Sequence, residues 1–153
     1  MSKAFLTGNE CRESILNGIR KLSDLVLVTM GPKGRNVIIG PTSTGNGAPA
    51  IGAPTITKDG VTVARSVTLM DPFEEMGCQL VKEVAGRTCD LAGGGTTTSV
   101  ALTYEIFSQG MTLMDGGYSA LSLRDGLNVG LKLILDEVDK MTRPVNTSED
   151  LLN

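Results

Sequence analysis

The stretch DPFEEMGCQLVKEVAGRTCDLAGGGTTTSVALTYEIFSQG, residues 71–110, reads as two helices joined by a glycine turn, and it decides the fold class. Asp71 stands where a helix cap belongs, and Pro72 follows at the first helical position, where its missing N–H costs nothing. Glu74 and Glu75 put negative charge in the first turn, the favourable end of the helix dipole. Phe73, Met76, Leu80 and Val84 recur every three or four residues and are predicted to be the apolar face. Gly93-Gly94-Gly95 ends that helix. Thr96 opens the next, which carries Val100, Leu102, Ile106 and Phe107 as far as Gly110.

Working outward, the N-terminal side begins with Thr7-Gly8-Asn9-Glu10, the pattern of a capping box, with Thr7 as cap and Glu10 reaching back. Cys11, Ile15, Ile19, Leu22 and Val26 then form one helical stripe, which Gly31-Pro32 is expected to stop. Val37-Ile38-Ile39 and Thr55-Ile56-Thr57 read as short strands, and the Gly- and Pro-rich stretch between Gly40 and Pro54 as an exposed loop. Lys58-Asp59-Gly60 turns. The residues Val61-Thr62-Val63-Ala64-Arg65 fit a strand or a short helix, and periodicity does not decide between them.

On the C-terminal side, Leu123, Leu127, Leu131, Ile134, Val138 and Met141 predict a long helix that ends before Pro144. Their nearly heptad spacing predicts packing against another helix. Thr147-Ser148-Glu149-Asp150-Leu151-Leu152 reads as the cap of a further helix, so the chain is expected to be cut from something longer. Met1-Ser2-Lys3-Ala4-Phe5-Leu6, by contrast, reads as a true start.

Composition narrows the functions. The 153 residues suit one ordinary domain, 41% hydrophobic and 20% charged, with aromatics at only 3%. A core of Leu, Ile, Val, Met and Ala follows, which suits helix packing. The net charge of −3 offers no field for gathering phosphate counter-ions, so nucleic acid is not an expected partner. No apolar run reaches membrane-spanning length, and no charged-then-apolar leader is present. Cys11, Cys78 and Cys89 form no CxxC and read as small apolar residues on helix faces. With no His in the chain, a His-based triad is excluded and a metal centre poorly supported.

Three segments carry possible chemistry. In Gly93-Gly94-Gly95-Thr96-Thr97-Thr98, a glycine turn lets backbone N–H groups converge at the positive end of a helix, and threonine hydroxyls add donors. A phosphate suits that arrangement; a plain junction between helices is the other reading. No Lys follows the glycines, so it is not a Walker A loop. Thr29-Met30-Gly31-Pro32 is either a helix end or one wall of a pocket. Lys58-Asp59-Gly60 sets a cation and a carboxylate beside a tight turn, which is either a solvated hairpin or a site where Lys58 meets phosphate oxygens and Asp59 holds Mg²⁺ directly or through water.

The runs Val28-Thr29-Met30-Gly31-Pro32-Lys33-Gly34-Arg35-Asn36-Val37 and Pro54-Thr55-Ile56-Thr57-Lys58-Asp59-Gly60-Val61-Thr62-Val63-Ala64-Arg65 closely resemble signatures of the group I chaperonins. Glu75-Met76-Gly77, Val81-Lys82-Glu83-Val84-Ala85 and Ala92-Gly93-Gly94-Gly95-Thr96-Thr97-Thr98 continue the resemblance in the same order, over roughly residues 8 to 145. The resemblance implies a mainly α fold: an equatorial-domain helical bundle with a small β stem-loop, incomplete relative to the full family fold. Residues 1–142 would be its N-terminal part, and 143–153 the start of an intermediate domain or a tail.

The resemblance further implies ATP and Mg²⁺ as cofactors. Thr29, Met30, Gly31 and Pro32 would surround the nucleotide, Lys58 would lie near its phosphates, and Gly94, Gly95, Thr96, Thr97 and Thr98 would cradle them. Asp59 would position the attacking water, the one catalytic assignment. Val61 to Arg65 would be helical. The implied whole is an ATP-driven, cytoplasmic folding chaperone assembled as a ring of subunits, in which unfolded polypeptides and a co-chaperonin meet an apical domain outside this sequence. Two departures stand out. The family loop reads Gly-Asp-Gly-Thr-Thr-Thr, with its Asp on Mg²⁺, and that position here is Gly94, so no metal ligand is assigned. The loop from Gly40 to Pro54 is also longer than its counterpart, and in the family that stem-loop meets a neighbouring subunit. These departures, with the short chain, imply negligible ATPase activity alone. They leave open a shortened, non-catalytic module acting within other chaperonin rings.

Overall fold

The periodic apolar residues near the N-terminus wind into α1 (Gly8–Leu27), which buries Ile19, Leu22 and Val26. The computed structural model describes residues 5–41, 52–143 and 145. Thr7 stands at the cap position of α1, but its side chain makes no cap hydrogen bond, so the expected capping box is not formed. Gly8 lies between that hydroxyl and the first turn at φ 69°, a left-handed step that carries the chain off the capping path. The helix also ends earlier than the Gly31-Pro32 stop, and its last turn tightens through Thr29 N–H to Val26 O at 3.0 Å and Met30 N–H to Leu27 O at 3.0 Å.

Strands β1 (Val37–Ile39) and β2 (Thr55–Thr57) pair antiparallel in the register Val37↔Thr57, Ile38↔Ile56 and Ile39↔Thr55, as their β-branched composition predicts. Most of the loop expected between them, residues 42–51, lies outside the described residues, as does the helix start expected at Thr147. The ambiguous segment after β2 is a helix, α2 (Gly60–Ser66). Asp59 decides the matter: its carboxylate accepts the Val61 and Thr62 N–H groups and caps that helix, so Lys58-Asp59-Gly60 is a helix start rather than a hairpin turn.

Helix α3 (Pro72–Ala92) starts as read, with Asp71 accepting the Phe73 and Glu74 N–H groups at 2.9 Å each. Its buried face is not the predicted one. Gly77, Cys78, Val81 and Ala85 are buried, while Met76 and Leu80 are 56% and 49% exposed. Size explains the correction. A Cβ on Gly18 would stand 1.8 Å from the Glu74 carbonyl oxygen, and one on Gly77 would stand 2.2 Å from that of Ile15. The two backbones touch there, so the contact selects glycine and small neighbours ahead of the bulkiest apolar residues. Lys21 and Glu74 add an ion pair across the same crossing.

Helix α4 (Thr96–Asp115) runs through Gly110 instead of stopping there. One glycine inside a helix costs only about 1 kcal/mol, too little to end it against the propensity of its neighbours. Ile19, Leu22, Val26, Val63, Ala64, Cys78, Val81, Ala85 and Val100 make one core, with Tyr104 and Phe107 against it.

The chain divides into two compact units at Met111/Thr112, and that core belongs wholly to the first. The second unit holds the end of α4, a turn closed by Tyr118 N–H to Leu113 O at 3.1 Å, and α5 (Ala120–Met141). Ser119 caps α5 by accepting the Ser122 N–H at 3.1 Å. No residue of α5 is buried, and Leu127, Leu131, Ile134 and Val138 are at least half exposed. The helix packing that their spacing predicts is therefore not made within this unit.

Candidate functional site

The end of α1 supplies one wall. Thr29 is buried, and its hydroxyl donates to the Val26 carbonyl at 2.7 Å, which satisfies the last turn of the helix. Its hydrogen is thus spent inside the protein. Gly31 turns at φ 72°, and Gly34 N–H closes back on Gly31 O at 3.0 Å. A Cβ on Gly34 would stand 2.1 Å from the Thr29 carbonyl oxygen and 2.9 Å from Lys58 Cε. The Lys58 stem therefore lies against this turn.

The start of α2 supplies the second piece. Asp59 Oδ2 accepts the Thr62 N–H at 2.9 Å and also the Thr62 hydroxyl, whereas Oδ1 accepts, among the described residues, only a long 3.4 Å contact from Val61 N–H. The Thr62 hydroxyl does most to hold the Asp59 carboxyl below the usual carboxylate range; slight burial opposes it, and backbone N–H groups and Arg65 assist. Gly60 is buried, and a Cβ there would stand 2.3 Å from Thr97 Oγ1. The beginning of α2 is thereby pressed onto the first turn of α4.

The start of α4 differs from those of α2, α3 and α5. Gly93 ends α3 in the left-handed region at φ 67°, its N–H on Cys89 O, and Gly95 turns again at φ 75°. Gly95 precedes the helix and offers no side chain, so nothing from the cap position meets the first N–H groups of α4. Thr29, Met30 and Gly31 face Gly95, Thr96, Thr97 and Thr98 across an open pocket of about 300 Å³. Helix-terminus N–H groups and threonine hydroxyls on one wall suit a phosphate.

Seven of the residues singled out in the sequence thus line one pocket. Pro32, Lys58, Asp59 and Gly94 are exposed and lie outside that lining. Sequence reading placed Gly60 in a tight turn without its packing role and gave Gly34 none, because their signal is a backbone approach that only the fold reveals; it missed Thr62, which the spacing Asp59-x-x-Thr62 announces as a cap partner. A hard divalent cation does not fit this side-chain set. No group of three or more His, Cys, Asp or Glu gathers as a cation site among the described residues, and Gly94 has no side-chain oxygen to give.

A larger hollow, of about 1100 Å³, lies elsewhere, beside Arg65, Glu75, Gln79 and Lys82. There Glu75 Oε2 accepts the Leu69 N–H at 2.7 Å and Lys82 donates to Val67 O, so these charges tie down the link between α2 and α3. No helix among the described residues is long and apolar enough to cross a membrane.

A solved structure shares this arrangement of elements. The chaperonin gp146 from the bacteriophage EL 2 (Pseudomonas aeruginosa), crystallised in the presence of ATP-BeFx, superposes with a TM-score of 0.71 at 25% identity. The match covers 91% of this chain and 23% of that one, so the chain spans about a quarter of its length. The mostly helical fold with its two-stranded hairpin is thus that of a portion of a chaperonin, in keeping with the expected equatorial-domain part. The model of the TCP-1/cpn60 chaperonin family matches residues 22–153, and the chain belongs to that family.

Proposed function

We propose that this chain is the N-terminal, nucleotide-cradling part of an ATP-dependent protein-folding chaperonin subunit. Residues 1–142 belong to its equatorial domain, and 143–153 begin an intermediate domain or a tail. The observation that carries this reading is the pocket of about 300 Å³ between the end of α1 and the uncapped start of α4. The presence of an ATP analogue with the phage chaperonin supports the same reading. Gly95, Thr96, Thr97 and Thr98 would hold the phosphates by N–H groups and hydroxyls, with Thr29, Met30 and Gly31 opposite. Lys58 and Asp59 would approach from the start of α2, and Gly94 would contribute backbone alone. Other chaperonin subunits are the expected partners, in a cytoplasmic ring. Clients and a co-chaperonin would engage an apical domain outside these residues.

Phosphoryl transfer depends on positioning and on electrostatic stabilisation by a metal. The poor fit to Mg²⁺ therefore favours negligible turnover by this chain alone, and it keeps alive a second reading, a non-catalytic module within other chaperonin rings. Titration calorimetry with ATP separates the two. Weak binding is expected in chelator, because helix-terminus terms contribute only about 0.3–1 kcal/mol each at exposed sites. Absence of heat from well-folded protein would remove the nucleotide-cradling reading and leave the non-catalytic module.

A further inference from the structure

The two oxygens of the Asp59 carboxylate are held unequally. Oδ2 takes two bonds from one residue, the N–H of Thr62 at 2.9 Å and its hydroxyl, while among the described residues Oδ1 has only the 3.4 Å contact from Val61 N–H. A 3.4 Å contact is near the limit of a hydrogen bond, so Oδ1 keeps accepting capacity and Oδ2 does not. The carboxylate is exposed, and the next residue, Gly60, is packed on Thr97 of the phosphate-facing turn.

We propose that Thr62 is the positioning residue of Asp59: by gripping Oδ2 twice it fixes the carboxylate and leaves Oδ1 as the oxygen that accepts from a water beside bound phosphate. The proposal rests on the nucleotide reading above. A threonine N–H alone would cap α2 equally well, since any residue at that position supplies one. What the hydroxyl adds is a second anchor on the same oxygen, which stops the carboxylate from turning. It also favours the ionised form, the form in which both oxygens are acceptors. The charged neighbours are Lys58, just before it in the chain, and Arg65, one turn further along α2, whose pull on the carboxylate is weaker than that of the hydroxyl.

The experiment uses the full 153-residue chain with carbon-13-labelled carboxylates, Asp59 being assigned by the signal lost in Asp59→Asn. Thr62→Val and Thr62→Ala remove the hydroxyl, the second guarding against a fold defect in the first, and Thr62→Ser keeps it. The Asp59 titration midpoint is expected to move up, towards an ordinary aspartate, in Val and Ala and to stay at the wild-type value in Ser. ATP should perturb the Asp59 signal in wild type and Thr62→Ser and lose most of that effect in the other two. An unmoved midpoint in both hydroxyl-less variants overturns the proposal whatever ATP does. Midpoints that move while the Asp59 signal ignores ATP in every variant would overturn the nucleotide reading, and Thr62 would be a helix-cap partner only.

Discussion

Two helix starts meet in this protein, and they are finished in opposite ways. The start of α2 is closed by its own chain, because Asp59 accepts the Val61 and Thr62 N–H groups. The start of α4 is left open, because Gly95 has no side chain and turns at φ 75°. Both carry the same positive dipole end and the same orphan donors. A helix that caps itself has used those donors for stability. A helix preceded by glycine keeps them for something else, and here they face a pocket walled by the end of α1. Gly60 joins the two, since only a residue without Cβ lets α2 sit against Thr97.

The most damaging way to break the comparison is to separate the two starts. Gly60→Val should drive a branched side chain into Thr97 and cost about 3 kcal/mol, the upper end for overpacking. Urea unfolding should show it as a lower midpoint with unchanged slope. Gly95→Ala strains the open start directly, because its φ lies in the left-handed region, and about 1–2 kcal/mol should be lost. Gly94→Ala is the control: nothing lies within 4 Å of a Cβ there, so stability should hold within about 0.5 kcal/mol.

Uncapping the closed start should cost less. Asp59→Ala removes the α2 cap, worth about 1 kcal/mol, and Asp59→Asn should retain most of it, since Asn caps comparably. Loss of ATP response in Asp59→Ala therefore mixes a structural with an electrostatic effect, and Asp59→Asn separates them. Acid acts on the same bond more gently. Asp59 and Glu75 are both held below their ordinary values of 3.8 and 4.5, by the Thr62 hydroxyl and the Leu69 N–H respectively. The unfolded chain therefore takes up protons first as pH falls. Their stabilisation is full above about pH 5 and fades below 4.5 and 3.8 towards the lower folded-state values, visible as a falling thermal midpoint.

Much of this was legible in the sequence, for physical reasons that differ by element. The helices α1, α3 and α5 announced themselves by three-and-four spacing, α3 also by Asp71-Pro72, and α4 by the glycine turn before Thr96, because local chemistry sets those features. The face of α3 was not legible. Met76 and Leu80 outweigh Gly77 and Cys78 in hydropathy, yet the crossing with α1 selects for size. The choice of helix for Val61 to Arg65 was legible only through the family resemblance, because alternating β-branched residues masked a cap that side-chain geometry completes. At the site, Gly95 to Thr98 and Thr29 to Gly31 were found as separate turns. Their meeting depends on Gly60 and Gly34, whose role is a backbone approach with no periodic signature.

The smallest expected effect concerns Gly94. With open space around it, Gly94→Asp should fold and place a carboxylate beside the phosphate site. ATP binding should strengthen when Mg²⁺ is present and weaken in chelator, where the new charge meets the triphosphate unshielded. Equal effects in both conditions would argue that the glycine turn is only a junction.

The most direct measurement follows the backbone N–H signals of nitrogen-15-labelled protein as ATP, and separately tripolyphosphate, is added. The open start should answer: Thr96, Thr97 and Thr98 should show the largest shifts with both ligands, and Val61 and Thr62, already capped by Asp59, much smaller ones. Shifts centred on α2, or scattered over the surface with Thr96 to Thr98 unmoved, would contradict the claim that the uncapped start of α4 is the phosphate site.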